Sequence, residues 1–368
     1  MAKPRLAVAT GNRLGADAAA TVAREGGNAV DACLAAGVMA WVVEPFFASI
    51  GGSGFITVRS PDGVVEVFDG NNAMPHSSPV TPGEGIRRTY LEYSNGMYTG
   101  IGGGSVAIPG VLAATRMAWA RHGHIEWPAL FAPAIAAARE GIAFPRTSAY
   151  YLSVTYKEIW SHYEVAREMF TRDGAPLQEG VHFVQPELAE ALELVAEEGP
   201  SAFYEGALAA EVADCVAGDG GFFSLSDLKQ YEAHRRTPIA TDIFGWKVES
   251  NPPPAVGGAV LTHLLALLQE TDLSDPSERL RAFVEAERAA TGYRGERYQE
   301  PGEIAGGLEE AIQKMKKHPG SSETTHLSSS DTDGFVCAFT ESNGYGSGLM
   351  VHGMLLNNTL GEEELNPL

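Results

Sequence analysis

The 368-residue chain contains little cysteine. Cys33, Cys215 and Cys337 lie far apart in apolar surroundings, and no CxxC pair occurs. This pattern argues against a zinc knuckle or a redox motif, and an odd number of thiols suits reduced, buried cysteines in a cytoplasmic protein. The ten histidines show no metal-ligand spacing, so we expect neither a metal nor a cofactor.

Basic residues and long apolar runs are also scarce. Lys and Arg total 26 against 47 Asp and Glu, which gives a formal net charge of −21. Nucleic acids and anionic membranes both require basic patches, so we expect neither as a partner. The longest apolar run, residues 36–43, is too short to span a bilayer, and the N-terminus lacks the apolar stretch of a signal peptide. We therefore expect a folded cytoplasmic protein.

The first third of the chain predicts two helices and then a hairpin. Gly26 and Gly27 separate the helices, and Asn28 can cap the second one. That second helix is apolar nearly all round, which is typical of a helix in the protein interior. Two β-branched runs flank Pro61-Asp62-Gly63, a turn sequence that predicts a β-hairpin.

Helical and extended patterns continue downstream in an order that favours an α+β fold. "TPIATDIFGWKVESNPPP" (237–254) predicts strand, turn and strand, and residues 316–323 resemble a linker. Further helices are expected at about 109–122, 127–140, 186–198, 200–217, 278–293 and 306–317. This order argues for layers of helix over a largely antiparallel sheet rather than a doubly wound parallel sheet.

The segment "SSETTHLSSSDTDGFVCAFTES" (321–342) has two interpretations. The first is an ordinary β-hairpin, which composition alone favours because β-branched residues commonly begin strands. The second is cleavage before Thr324, which would make that residue a catalytic N-terminus. A free α-amino group titrates near ~8 and can act as the base that activates the threonine hydroxyl. This second interpretation requires the Glu323–Thr324 bond to be broken.

Ten motifs spread over residues 26–367 bear on this choice. They are "GGNAVDA" (26–32), "VVEPFFASIGGSGF" (42–55), "GSVAIPGVLAA" (104–114), "APAIAAAREGIAF" (132–144), "GPSAFYEGALA" (199–209), "GGFFSLSDLKQY" (220–231), "PPPAVGG" (252–258), "TTHLSSSDTDG" (324–334), "SNGYGSG" (342–348) and "LLNNTLGEEELNP" (355–367). In content and order the chain resembles the γ-glutamyltransferase family of N-terminal-nucleophile hydrolases, and its last motifs resemble a γ-glutamyltransferase-like subgroup.

The resemblance implies a four-layer αββα sandwich and a precursor cut between Glu323 and Thr324. Residues 1–323 would form a large-subunit region, and residues 324–368 would begin the small subunit. Thr324 would attack the carbonyl of a γ-glutamyl or related small-molecule amide and form an acyl-enzyme. Water or an amine would then accept the acyl group, as in glutathione metabolism. The resemblance also implies that Thr325, Ser342 and Asn343 lie near the nucleophile and the substrate.

The chain departs from the family pattern in three places. Asn71 stands where the γ-glutamyl enzymes carry an arginine for the substrate carboxylate, and an amide cannot supply that bidentate charged contact. Glu362 and Glu363 lie near the position of an aspartate that binds the substrate amino group. The sequence assigns that role to neither acid, and a solvated acidic turn is an equally good interpretation of this segment. The sequence stops at Leu368, before the serine and glycine pairs of the family's oxyanion hole, so we expect an incomplete sandwich.

These departures leave a second hypothesis open, in which the chain is a catalytically inactive, truncated scaffold or binding module of the same fold. On either hypothesis the truncation leaves two alternatives: the chain is a fragment of a longer protein, or a partner, such as a missing C-terminal polypeptide or a second copy in a homo-oligomer, completes it. A cysteine-dependent amidase built on Cys337 has little support, because that residue lies inside an apolar strand without a paired histidine.

Overall fold

The computed structural model describes residues 6–76, 85–93, 96–271, 273–292 and 324–363. The predicted helix at 306–317, the linker at 316–323 and Glu323 lie outside these ranges.

Twelve helices occur in the described part of the chain. They are α1 (Arg13–Arg24), α2 (Ala29–Val43), α3 (Val111–His122), α4 (Trp127–Glu140), α5 (Arg146–Thr155), α6 (Glu164–Phe170), α7 (Pro186–Glu198), α8 (Ser201–Tyr204), α9 (Ala207–Gly218), α10 (Leu225–Lys229), α11 (Val256–Gln269) and α12 (Pro276–Gly292). The predicted helix at 200–217 is wrong as a single element, because α8 ends at Tyr204 and α9 starts after Gly206.

The strands described form one large sheet and five two-stranded sheets. They are β1 (Leu6–Ala9), β2 (Ser53–Arg59), β3 (Val65–Gly70), β4 (Arg87–Leu91), β5 (Met97–Ile101), β6 (Ile142–Ala143), β7 (Thr171–Arg172), β8 (Ala175–Pro176), β9 (His182–Phe183), β10 (His234–Arg236), β11 (Ile239–Ile243), β12 (Trp246–Ser250), β13 (Thr324–Asp331), β14 (Val336–Ser342), β15 (Met350–Val351) and β16 (Met354–Leu355). The large sheet has the order β1-β13-β14-β2-β3-β10.

The first four strands in this order, from the edge strand β1 through β13 and β14 to β2, each pair antiparallel with the next. The predicted hairpins at 53–70 and 324–342 and the strand pair at 239–250 are confirmed. The sequence did not predict β1 or the β4–β5 hairpin.

Helix α2 packs on one face of the sheet, as its apolar composition predicts. Asn28 and Asp31 form a capping box at its start, and every residue of the helix is buried. Gly26, with φ of +106°, adopts the left-handed conformation that separates α1 from α2. The helix approaches β13 and β14 closely: the Cys33 thiol lies 3.8 Å from the carbonyl oxygens of both Leu327 and Cys337.

The chain divides into two compact units. The first contains the described residues of 1–64, 68–235 and 322–368, so the segment that begins at Thr324 packs within the same unit as most of the preceding chain. The second contains residues 65–67 and the described part of 236–321. Its helices α11 and α12 share a small apolar core formed by Leu264, Leu268, Ala282, Ala286 and Ala290. No helix within the described ranges combines the length and the apolarity that a membrane crossing requires.

Candidate active site

Three hydroxyl side chains form a row across the large sheet. β13 begins at Thr324, which lies opposite Ser342 at the end of β14, and Ser342 in turn lies opposite Ser53 at the start of β2. Directly opposed residues point to the same face of a sheet. Thr324 is exposed, whereas Ser342 and Ser53 are half-buried. The row therefore occupies one end of the sheet, on the face opposite α2.

His326 lies on the same face as Thr324, two residues along β13. Its Nδ1 is 2.8 Å from the Thr340 hydroxyl and its Nε2 is 3.0 Å from the Ser328 hydroxyl. Partial burial lowers the pKa of the imidazole, which favours the neutral form. A neutral ring can donate to one hydroxyl and accept from the other, so its orientation beside the row is fixed from both sides.

Thr325 points to the opposite face of the sheet and is buried. Its hydroxyl donates a hydrogen bond to Glu44 Oε2. The residue opposite Thr325 on β14 is Glu341, whose Oε2 accepts a hydrogen bond from the indole nitrogen of Trp41. Glu44 and Trp41 both belong to the C-terminal end of α2.

Burial raises the pKa of both carboxyl groups beneath the row. For Glu44 the loss of hydration is the main cause, and the hydrogen bond from Thr325 partly opposes it. For Glu341, which is fully buried, the pKa is raised well above its ordinary value by burial, against the hydrogen bond from Trp41. Sequence analysis missed both residues, although each is a lone acid next to an apolar run, which is a recognisable signal.

Asn343 follows Ser342 and is completely buried. Neither its Nδ2 nor its Oδ1 has a hydrogen-bond partner within the described residues. The amide oxygen lies against Gly52, where an added Cβ would be only 3.2 Å away. A buried amide without a hydrogen-bond partner costs about 1–3 kcal/mol.

Asn357 joins two glycine-rich segments near the row. Its Nδ2 donates to the carbonyl oxygens of Gly51 (2.8 Å) and Ala107 (2.9 Å). Its Oδ1 accepts from the backbone N–H groups of Ala107 and Thr359, each at 3.1 Å. One side chain thereby fixes the backbone just before Ser53 to two other segments.

Asn358 has the same function one residue later. Its Oδ1 accepts from the N–H of Tyr345 at 2.7 Å. Its Nδ2 donates to the Thr99 hydroxyl (2.9 Å) and to the Gly100 carbonyl (3.0 Å). The loop that follows Ser342 is therefore held against β5.

Asn71 lies in the turn after β3 and is half-buried. Its Oδ1 accepts from the N–H of Asn72 at 3.0 Å, and its carbonyl oxygen accepts from the Tyr231 hydroxyl at 2.7 Å. The neighbouring Asn72 donates from Nδ2 to the Thr359 hydroxyl at 2.6 Å. The turn that contains Asn71 therefore contacts Thr359. Asn357 binds both Thr359 and Gly51, which precedes β2.

The two adjacent acids of the last motif have different surroundings. Glu363 forms an ion pair with Arg88, with Nη2 donating to Oε2 at 2.9 Å. The carboxylate of Glu362 lies beside Gly344, where an added Cβ would be 2.5 Å from its Oε1. Gly344 is two residues after Ser342, so Glu362 is the acid that faces the end of β14.

The structure offers no support for a thiol nucleophile. Cys337 is fully buried, and its pKa is raised well above the ordinary value by the hydrogen bond with Cys33 and by burial. Across the described residues, no group of three or more His, Cys, Asp and Glu side chains could hold a metal ion.

Comparisons with known proteins assign the chain to a family. A family model described as γ-glutamyltranspeptidase matches residues 15–309. The chain is 28% identical to the glutathione hydrolase proenzyme of Escherichia coli over 98% of its own length, and 31% identical to the acylase ACY 1 proenzyme of a Pseudomonas species over 72%. It spans 66% of the length of the first of these relatives and 48% of the second.

Solved structures show the same fold. A cephalosporin acylase from Bacillus halodurans has a TM-score of 0.79 at 25% identity, over 97% of this chain and 69% of that one. The γ-glutamyltranspeptidase of Helicobacter pylori has a TM-score of 0.69 at 25% identity, over 84% and 90% of the respective chains. These likenesses confirm the predicted fold class, a layered sandwich of helices and antiparallel sheet of the N-terminal-nucleophile hydrolase type.

Proposed function

Because the chain belongs to the γ-glutamyltranspeptidase family, we propose that it is an amide-cleaving enzyme with Thr324 as an N-terminal nucleophile. The observation that carries this proposal is the position of Thr324. It is the first residue of a central strand, it is exposed, and it lies in register with Ser342 and Ser53.

The reaction begins with maturation of the chain. The Thr324 hydroxyl attacks the Glu323 carbonyl, the peptide nitrogen leaves as the new α-amine, and water hydrolyses the resulting ester. This step separates residues 1–323 from residues 324–368. The freed amine is the general base for catalysis, because it is partly neutral at physiological pH.

Turnover then follows the acyl-enzyme route. The α-amine takes the proton of the Thr324 hydroxyl while its oxygen adds to the substrate carbonyl. The tetrahedral intermediate collapses, the proton is passed to the leaving amine, and an ester to Thr324 remains. Water or an amine adds to this ester and releases the acyl group, which gives hydrolysis or transfer.

The neighbours of Thr324 supply polar groups for amine and substrate. Ser342 is the hydroxyl directly opposite Thr324 and its new amine. We assign Asn343 to a substrate carbonyl or amide, because its amide is next to Ser342 and has no hydrogen-bond partner among the described residues. Glu362 is the candidate for the amino group of a γ-glutamyl substrate, because its carboxylate lies beside Gly344, two residues after Ser342. Thr325 contacts Glu44 beneath the sheet, so we assign it to positioning rather than to substrate contact.

Asn71 bears on the choice of acyl donor. An asparagine can donate a hydrogen bond to a carboxylate but lacks the fixed charge and the paired N–H geometry of arginine. We therefore propose a weaker demand for the α-carboxylate of the donor than a γ-glutamyl-specific enzyme has. The proposed substrates then include γ-glutamyl compounds and other acyl amides. The names of the two relatives, a glutathione hydrolase and an acylase, cover the same two classes. We place the enzyme in the cytoplasm, as the reduced cysteines indicate.

The proposal is tested on the purified chain with a denaturing gel, intact-mass measurement and γ-glutamyl-p-nitroanilide. We expect a fragment that begins Thr-Thr-His and release of p-nitroaniline, with both absent in Thr324→Ala. Thr324→Ser keeps the attacking hydroxyl and should retain both. Turnover by a chain in which residues 323 and 324 remain joined would refute the mechanism. An uncut, inert chain that still binds glutathione would favour the inactive binding module.

A further inference from the structure

Two hydrogen bonds connect the end of α2 with a single cross-strand pair. Glu44 accepts from the Thr325 hydroxyl, and Trp41 donates to the Glu341 carboxyl. Thr325 and Glu341 lie directly opposite each other on β13 and β14. The next pair in the ladder is Thr324 and Ser342. The helix end is therefore attached to both strands one residue away from the proposed nucleophile.

We propose that Glu44 is a positioning residue, which acts through Thr325 to hold Thr324 in register with Ser342. This inference rests on the proposed function, since Thr324 needs accurate placement only if it reacts. Glu341 and Trp41 complete the arrangement by attaching the opposite strand to the same end of the helix.

The need for such an anchor follows from cleavage. Once the bond before Thr324 is broken, β13 begins at a free chain end, and terminal residues fray unless they are held. Thr324 itself is exposed and lies at the last rung of the ladder. Thr325 is the first buried residue of the strand, so its side chain is the first that can fix the new terminus from below.

A packing role alone does not account for these residues. Carboxyl groups lose their hydration when buried, and apolar side chains of similar size would fill the same space without that cost. Glu341 Oε1 also has no hydrogen-bond partner within the described residues, which adds to the cost. What the acids provide and apolar groups cannot is a directional hydrogen bond to a defined point on each strand.

The experiment compares Thr325→Val with Thr325→Ser, because valine keeps the shape of threonine without its hydroxyl and serine keeps the hydroxyl. In the full chain, we expect Thr325→Val to be cleaved before residue 324 and to lose about tenfold in kcat, with KM changed less than twofold. Thr325→Ser should restore kcat to within about threefold of the starting protein. Glu44→Leu should lower kcat like Thr325→Val, and the double variant should be no worse than either single variant.

Hydrogen exchange supplies a readout that does not depend on turnover. We expect the peptide 324–330 to exchange at least about tenfold faster in Thr325→Val than in Thr325→Ser, while peptides from α4 and α7 remain unchanged. Equal exchange and equal kcat in the two variants would overturn the positioning role. If the chain neither cleaves nor turns over substrate, the proposed function fails, but the exchange comparison still decides whether Glu44 and Thr325 hold the strand end.

Discussion

Gly37 of α2 and Phe339 of β14 lie so close that a Cβ on Gly37 would be 2.4 Å from Phe339 Cε1 and 2.7 Å from Glu341 Oε1. The absence of a side chain at this position is what lets the helix approach the two strands beneath the proposed nucleophile. Any larger residue must displace the Phe339 ring, the Glu341 carboxyl group or the helix itself.

Gly37→Ala should therefore destabilise the protein by about 1–3 kcal/mol, because overpacking outweighs the better helix propensity of alanine. Gly218→Ala is the matched control, since Gly218 is the last residue of α9 and an added Cβ meets nothing within 4 Å. That variant should be more stable by about 0.4–1 kcal/mol. Urea unfolding measures both changes, and equal effects of the two substitutions would contradict the close approach.

Asn357→Ala should destabilise the protein by about 3–5 kcal/mol. The substitution removes the side-chain partner of the carbonyl groups of Gly51 and Ala107 and of the N–H groups of Ala107 and Thr359, and only the Gly51 carbonyl keeps a bond from the backbone N–H of residue 357. Asn357→Asp should also be strongly destabilising, because a carboxylate cannot donate to the two carbonyl groups. Gln178→Ala removes an exposed amide that contacts one carbonyl, and it should stay within about 0.5 kcal/mol of the unmodified protein.

The free energy of unfolding should fall as pH rises, and this fall should be smaller in Glu341→Gln. Burial raises the pKa of Glu341 above its ordinary value of 4.5, so between these two values the folded state binds more protons than the unfolded state. The contribution is fully present below the ordinary pKa and is lost as pH rises through the raised pKa, by at most about 1.4 kcal/mol per pH unit.

Urea titrations of both proteins across this pH window test the effect. Glu44 has a raised pKa as well and is present in both, so the difference between the two curves reports mainly on Glu341. If the two curves of unfolding free energy against pH were parallel, ionisation of Glu341 would not be the cause of the loss of stability.

Glu362 and Glu363 should respond differently to removal of charge. With γ-glutamyl-p-nitroanilide, Glu362→Gln should raise KM about tenfold, because the substrate ammonium loses a charged hydrogen-bond partner. Glu363→Gln weakens the ion pair with Arg88 and should leave KM within about twofold. Steady-state kinetics of the two variants decide the assignment, and a larger effect at Glu363 would reverse it.

Local sequence signals predicted the elements whose structure depends mainly on residues adjacent in sequence. Examples are the capping box at Asn28, the apolar helix α2 and the Pro61-Asp62-Gly63 turn. Each can be recognised from a few neighbouring residues. By contrast, β1 is a strand because it pairs with β13, more than 300 residues away, and nothing in its four residues specifies that partner. The break between α8 and α9 at Gly206 was also missed, since a single glycine within a helical pattern is a weak signal.

The candidate site divides in the same way. Thr324, Ser342 and Asn343 could be named from motifs, and the structure brings Thr324 and Ser342 together across one rung of the sheet. The hydrogen bonds of Glu44 with Thr325 and of Glu341 with Trp41 join residues about three hundred positions apart. Such contacts depend on how α2 packs across the sheet, and a local sequence pattern does not predict that packing.

The adjacent threonines of β13 point to opposite sides of the sheet because side chains alternate along a strand. If the strand slid by a single rung, Thr325 would replace Thr324 on the outer surface, and an identical hydroxyl would occupy the same spot. It would do so without an amine on its own Cα, and the terminal amine would be displaced by one residue. Thr325 therefore cannot take over the role of Thr324 in a slipped strand. In the proposed mechanism only one register of β13 is reactive.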